Sequence, residues 1–370
     1  MSLAINEQGH IALANQLDAA GRHGEALGVL DDAAAKGGVH ARGMLAARLL
    51  LGDRAPARPE QGARLMTEAA AGGNAAAAAI VAVLYGLGLH RQKDWESALD
   101  YLQRAAELGL VNARGALGAL AADAALGARA MMAEPPAGLW RRLRANVDVA
   151  ALIAPPPGRN LHDEPLIRAY AGFASPLMCA WLVNRARGRL SRAQVYNAVS
   201  QAVETSGTRT NTAATFGLLD VDLAQIALQA RIAAAVGAPS SHLESPAVLH
   251  YAVGEQIVEH FDFVDPALPD HDEQVARDGQ RVVTFLVYLN DAYEGGETEF
   301  PRLGVSHKGR AGEGVFFVNA TPDGKADVRT VHAGRPPRAG EKWIVSQFIR
   351  SRPSLPGAPN SETFAHPTPA

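Results

Sequence analysis

With 370 residues, 48% of them apolar and 20% charged, the chain is long enough for two globular domains and too apolar to be a disordered polymer. A net charge of -3 argues against a partner held through phosphates, so no nucleic acid is expected, and the single cysteine, Cys179, excludes a disulfide framework or a cysteine-built zinc site. The opening residues carry no basic, apolar leader, and no apolar run reaches about 18 residues. A soluble, cytoplasmic chain with no membrane partner is the expectation.

Alanine divides the chain, with 40 in residues 1–150 and 9 in residues 251–350. The first part therefore reads as closely packed helices. Three segments, Leu30–Ala41, Met66–Ala77 and Leu102–Ala113, align at a spacing of 36 residues. Each holds an Ala-Ala pair (Ala33-Ala34, Ala69-Ala70, Ala105-Ala106) and then a glycine at one offset, Gly37, Gly73 or Gly109. Such a glycine ends one helix in a left-handed cap, and a second helix then packs back across the alanines. A repeat of this length is the mark of stacked helical hairpins. The best copy, AAIVAVLYGLGLHRQKDWESALDYLQRAAELG, resembles Sel1-like repeats, relatives of the tetratricopeptide repeat, over roughly residues 10–125. Such an array either holds a protein or peptide in its concave face or braces a second domain.

Prolines 135–136 and 155–157 flank the basic segment WRRLRANVDVAALI, whose arginines read as a solvated helix face. The expected organisation is a helical repeat domain over 1–130, a Pro-rich linker over 131–164, a second domain over 165–352 and a disordered tail over 353–370. Helices are expected near 176–202 and over 220–236, the latter stopping at Gly237. From Val248 the pattern changes to short strands (AVLHYAV, RVVTFLVYLN, GVFFVN, VRTVHAG and KWIVSQFIR) separated by turn signals, which suggests a sandwich or jelly roll.

The chemistry begins at His260-Phe261-Asp262. In a strand, residues i and i+2 share a face, so an imidazole and a carboxylate can reach one ion. A second imidazole from a distant strand would complete the facial triad of non-haem Fe(II) oxygenases. His-x-Glu also occurs at His162/Glu164, His242/Glu244 and His271/Glu273, the first and last in polar, loop-like sequence. What selects His260 is His332 downstream in a strand-like segment, with Lys342 ten residues beyond. Lys342 is one of five lysines and opens the strand KWIVSQFI. A cation inside a barrel mouth is costly unless an anion pairs with it. A dicarboxylate would supply that anion at one end and chelate the metal at the other.

YAVGEQIVEHFD, RVVTFLVYLNDAYEGGETEFP and HAGRPPRAGEKW resemble the prolyl 4-hydroxylase-type 2-oxoglutarate/Fe(II) dioxygenases over about residues 165–350. The resemblance implies a double-stranded β-helix with flanking helices and an Fe(II) held by His260, Asp262 and His332. It implies that 2-oxoglutarate chelates the iron, with its 5-carboxylate on Lys342 and with Tyr251, Thr298 and Tyr288 around it. Oxygen is the second cosubstrate, with ascorbate as an accessory reductant. The resemblance also places Arg209, Glu244 and Arg281 where peptide-acting members contact substrate or order the loop above it. Two positions depart from the pattern: Ile257 stands where a second tyrosine is frequent, and Phe348 where a tryptophan is. The expected function is hydroxylation of an aliphatic carbon, a prolyl residue of a peptide or protein being the first candidate. A small-molecule or free amino-acid oxygenase is the alternative, and a non-catalytic repeat scaffold a further one, against which the triad and Lys342 argue.

Overall fold

Glycine sets the period of the N-terminal array. Helices α1 (Glu7–Ala19), α2 (His23–Ala35), α3 (Val39–Leu51), α4 (Pro59–Ala71), α5 (Ala75–Leu87), α6 (Trp95–Glu107) and α7 (Val111–Leu120) run as successive hairpins. Gly37, Gly73 and Gly109 have φ of 94°, 98° and 95°, conformations strained for any residue with a Cβ. Each closes the same motif. The N–H of Gly37 donates to Ala34 O and that of Gly38 to Ala33 O, a pairing repeated at Gly73/Asn74 and at Gly109/Leu110. These bonds satisfy the last carbonyls of α2, α4 and α6 and turn the chain into the next helix. All six alanines of the Ala-Ala pairs are buried.

The computed structural model describes residues 6–132, 134–193, 195–197, 202–204, 208–265, 268, 271–321, 325–354, 364 and 367. Its contacts form two units, Met1–Asp148 with Leu218–Ile226, and Val149–Gly217 with Ala227–Ala370. The segment 131–164, expected as a linker, is structured along much of its length. Leu139–Ala145 and Val149–Ile153 are short helices, and Gly158–His162 is an edge strand. Its prolines punctuate these elements, because a proline removes only its own N–H. The helix expected over 176–202 spans Pro176–Arg187, whereas Leu223–Val236 stops at Gly237 (φ 68°). From residue 355 the expected tail lies outside the described residues except at 364 and 367. Among the described residues no helix is long and apolar enough to cross a membrane.

The second unit holds β1 (Gly158–His162), β2 (Ile167–Tyr170), β3 (Ser191–Arg192), β4 (Val195–Asn197), β5 (Ala202–Glu204), β6 (Thr212–Thr215), β7 (Ala247–Tyr251), β8 (Ile257–His260), β9 (Arg281–Tyr288), β10 (Glu294–Gly295), β11 (Thr298–Phe300), β12 (Val305–His307), β13 (Gly314–Val318), β14 (His332–Gly334), β15 (Pro337–Ala339) and β16 (Lys342–Arg350). An eight-stranded sheet runs β1-β2-β13-β9-β16-β7-β6-β3, and a four-stranded sheet runs β12-β11-β14-β8. Along the chain β7, β9, β13 and β16 belong to the large sheet, while β8, β11, β12 and β14 belong to the small one. This alternation is a jelly roll, the double-stranded β-helix. Leu249, Tyr251, Leu286, Tyr288, Val315, Phe317 and Ile344 of the large sheet meet Phe300 of the small sheet in one core. Period-two alternation then sends Lys342, Ile344, Ser346 and Phe348 of β16 toward a cavity.

Candidate active site

Antiparallel pairing of β8 with β14 sets His260 opposite His332. Asp262 follows just past the end of β8, and the three side chains bring one ligand atom each within 4.8 Å of one another. His260 Nε2 lies 3.4 Å from Asp262 Oδ1, and His332 Nε2 lies 3.3 Å from Asp262 Oδ2. Each imidazole is turned by a carbonyl two residues earlier. His260 Nδ1 pairs with Val258 O at 2.9 Å, and His332 Nδ1 pairs with Thr330 O at 3.0 Å. A carbonyl only accepts, so Nδ1 carries a proton in each ring and Nε2 is the nitrogen that a metal would take. Burial of Asp262 opposes its charge, but the two imidazoles, when protonated at Nε2 as well, outweigh it through charge and hydrogen bonds and hold the carboxyl well below the usual carboxylate range, a place a metal cation would take over. Two nitrogens from adjoining strands and one carboxylate oxygen just past the end of one of them are a donor set that suits Fe(II) and leaves positions open.

In the other three His-x-Glu pairs the imidazole is paired with a backbone carbonyl. His162 Nδ1 pairs with Pro165 O while Glu164 meets Arg329. His242 is fully buried on Arg350 O, and His271 pairs with Asp265 O at the start of a helix.

One cavity of about 860 Å³ joins the three ligands to Tyr251, Thr298 and Lys342, with Leu249, Leu286 and Ile344 among its walls. Lys342 is the cross-strand partner of Tyr251 and is 1% exposed. It forms no ion pair with a described residue; its Nζ stands 5.2 Å from the ring centre of Tyr251 and 5.6 Å from that of Tyr288. Desolvation pushes this amine down to about 7, and the charge of Glu297 offsets it only in part. Asn290 brackets the lysine, donating to Glu341 O at 2.7 Å and accepting from Trp343 N at 2.8 Å. Tyr288 is fully buried and lies behind the cavity rather than on its wall, where its hydroxyl donates to Thr298 Oγ1 at 2.8 Å. Burial pushes Tyr251 up to about 12, so it stays protonated.

At the other end of the cavity, Arg281 lies over the ring of Phe348 at 3.8 Å, and both line the wall. Glu244 is not on that wall. It grips Arg281 through two hydrogen bonds of 2.7 and 2.9 Å and accepts a third from Arg350 at 2.6 Å. The structure thus makes Glu244 a holder of Arg281 and brings in Arg350, which the sequence motifs did not single out. Arg209 lines the cavity, its Nε donating to Asn211 at 3.1 Å, and Ile257 lines it too. Thr284 and Asn319, also outside the expected set, stand behind Asp262.

A family model described as the 2OG-Fe(II) oxygenase superfamily matches residues 246–350, the stretch carrying all three ligands, Thr298 and Lys342. The C-terminal part is therefore a 2-oxoglutarate/Fe(II)-dependent dioxygenase domain, and the family implies Fe(II), 2-oxoglutarate and O2. Among curated relatives, probable prolyl 4-hydroxylase 9 of Arabidopsis thaliana is 29% identical over 53% of this chain and 72% of its own length. Prolyl 4-hydroxylase subunit alpha-1 of Mus musculus is 32% identical over 54% of this chain and 37% of its own. The chain thus spans little more than a third of that animal subunit. Among solved structures, the viral collagen prolyl hydroxylase of Paramecium Bursaria Chlorella virus-1 aligns with a TM-score of 0.38 at 26% identity, over 50% of this chain and 95% of that one. A Sel1 repeat protein from Oxalobacter formigenes aligns with a TM-score of 0.30 at 25% identity, over 38% of this chain and 57% of that one. Residues 246–350 thus match the 2OG-Fe(II) oxygenase superfamily, prolyl 4-hydroxylases are among the relatives, and a helical array precedes this part in sequence.

Proposed function

We propose that the chain hydroxylates a prolyl residue of a peptide or protein, using Fe(II), 2-oxoglutarate and O2, with ascorbate as accessory reductant. The observation that carries this reading is a buried lysine that forms no ion pair with a described residue, in the same cavity as a His-Asp-His set. A dicarboxylate answers both needs. It neutralises Lys342 at one end and offers oxygens to the metal at the other.

His260, Asp262 and His332 would hold the iron, and three protein ligands leave three positions open. When bound, iron supplies the activation of oxygen, while 2-oxoglutarate supplies two electrons and leaves as succinate and CO2, one oxygen atom going to the substrate. The protein supplies orientation and dryness. Thr298 receives its hydrogen bond from Tyr288, so its own hydroxyl proton is free for the carboxylate beside Lys342. Leu249, Leu286 and Ile344 keep water from the chelating end. Arg281, stacked on Phe348 and gripped by Glu244 through Nε and one terminal nitrogen, keeps its other N–H groups for a substrate carbonyl. The relatives named prolyl 4-hydroxylases support proline as the target, and a repeat array able to hold a polypeptide supports a protein over a free amino acid.

The test is 2-oxoglutarate consumption with peptides that differ only in Pro or Ala at one position. Turnover should rise with the prolyl peptide and stay at background with its alanyl twin. Equal stimulation by both, or by free proline alone, would overturn the peptidyl-proline reading.

A further inference from the structure

Asp262 is not held by the two histidines alone. Thr284 Oγ1 donates to Asp262 Oδ2 at 2.8 Å, and Asn319 Nδ2 donates to Thr284 Oγ1 at 2.8 Å. Thr284 and Asn319 are fully buried, so neither bond is shared with solvent. A hydroxyl that receives the amide's N–H has one proton left to give, and the carboxylate is the acceptor in reach. The reverse amide orientation would take that proton and leave hydroxyl lone pairs facing a carboxylate. The backbone fixes the asparagine: Asn319 N donates to Val282 O at 2.8 Å, and Asn319 O accepts from Asp327 N at 2.9 Å. Its Oδ1 is buried without a partner. The fold tolerates that orphaned oxygen while the amide nitrogen orients the threonine.

We propose that Thr284, oriented by Asn319, is a positioning residue that holds Asp262 to one-oxygen ligation and so keeps a metal position open for the cosubstrate. The inference rests on the metal site proposed above. A six-position ion held by two imidazoles and one carboxylate oxygen has three places left, two for a chelating 2-oxo acid and one for oxygen. A carboxylate that turned both oxygens to the metal would take one of them. Thr284 engages Oδ2 and resists that turn.

Thr284→Val keeps the shape and removes the donor, whereas Thr284→Ser keeps the donor and removes a methyl group. Wild type, both variants and Asn319→Ala would be titrated without oxygen, first with Fe(II) and then with 2-oxoglutarate. The readouts are the two dissociation constants and the visible charge-transfer band of the chelate. All four proteins should bind Fe(II). Thr284→Val should bind 2-oxoglutarate roughly tenfold more weakly and show a shifted band. Thr284→Ser should return to the wild-type values, and Asn319→Ala should fall between. Wild-type affinity and band in Thr284→Val would overturn the inference, and so would a Ser variant as weak as Val, which would assign the effect to packing. A wild type that takes up no Fe(II) would overturn the metal reading and this inference with it, a result distinct from the other two.

Discussion

Lys342 lets the cosubstrate reading be tested through protons. Burial lowers this amine from an ordinary 10.5 to about 7, so holding a proton there in the empty cavity costs about 5 kcal/mol. Between pH 7 and 10.5 the unfolded chain binds a proton that the empty folded cavity has released, so this group makes folding stability rise with pH across that window. A carboxylate beside Nζ restores the charge, and binding then takes up a proton. With the free amine at about 7, uptake should be about 0.9 proton at pH 8, and affinity should fall roughly fiftyfold from pH 7 to pH 9. The neighbouring groups titrate elsewhere. Burial raises Tyr251, Tyr288 and Tyr293, and burial lowers His307 below 6.5. Calorimetry of 2-oxoglutarate binding to the Mn(II)-loaded protein, in buffers of different ionisation enthalpy, measures the uptake directly. Lys342→Arg, charged throughout this range, should show neither uptake nor pH dependence. No uptake and a constant affinity from pH 7 to 9 in the wild type would refute the reasoning, because the lysine would already be charged in the empty cavity.

Replacing His260, Asp262 or His332 by alanine should abolish succinate formation while the far-ultraviolet circular dichroism stays unchanged; turnover at the wild-type rate in any of them would remove that residue from the ligand set. Glu244→Gln loosens Arg281 and Arg350 together, so stability should drop by about 1–3 kcal/mol; the peptide KM should rise while the 2-oxoglutarate KM holds, and steady-state kinetics with both substrates separates the two. At Gly309 an added Cβ would lie 2.1 Å from Tyr288 Cδ2. Gly309→Ala should therefore cost about 1–3 kcal/mol, seen as a lower Tm, and raise the 2-oxoglutarate KM as Tyr288 shifts from Thr298.

The repeat was legible because its glycines serve one backbone purpose, the same two capping bonds at 37, 73 and 109. The His260-Asp262-His332 cluster was legible for a related reason: a His-x-Asp pair at a strand end and a distant histidine are brought together by one pairing, β8 with β14. The segment 131–164 misled because prolines mark the ends of short elements as well as loops, and β1 is recognised only by its pairing with β2. The resemblance put Tyr288 among the residues around the cosubstrate, and only the folded chain shows that its hydroxyl reaches Thr298 on the cavity wall. Glu244 was grouped with substrate contacts, and only the folded chain shows it bridging Arg281 and Arg350, two residues 69 positions apart in sequence. Thr284 and Asn319 carry no local signal, since their role exists only once β9 and the end of β13 meet behind Asp262.

The most direct test of the central claim is isotopic. A proline-containing peptide incubated with the protein, Fe(II), 2-oxoglutarate and ¹⁸O₂ should gain one labelled oxygen on a prolyl ring, with an equal amount of succinate formed. Succinate without label in the peptide, or label with no dependence on 2-oxoglutarate, would contradict the account.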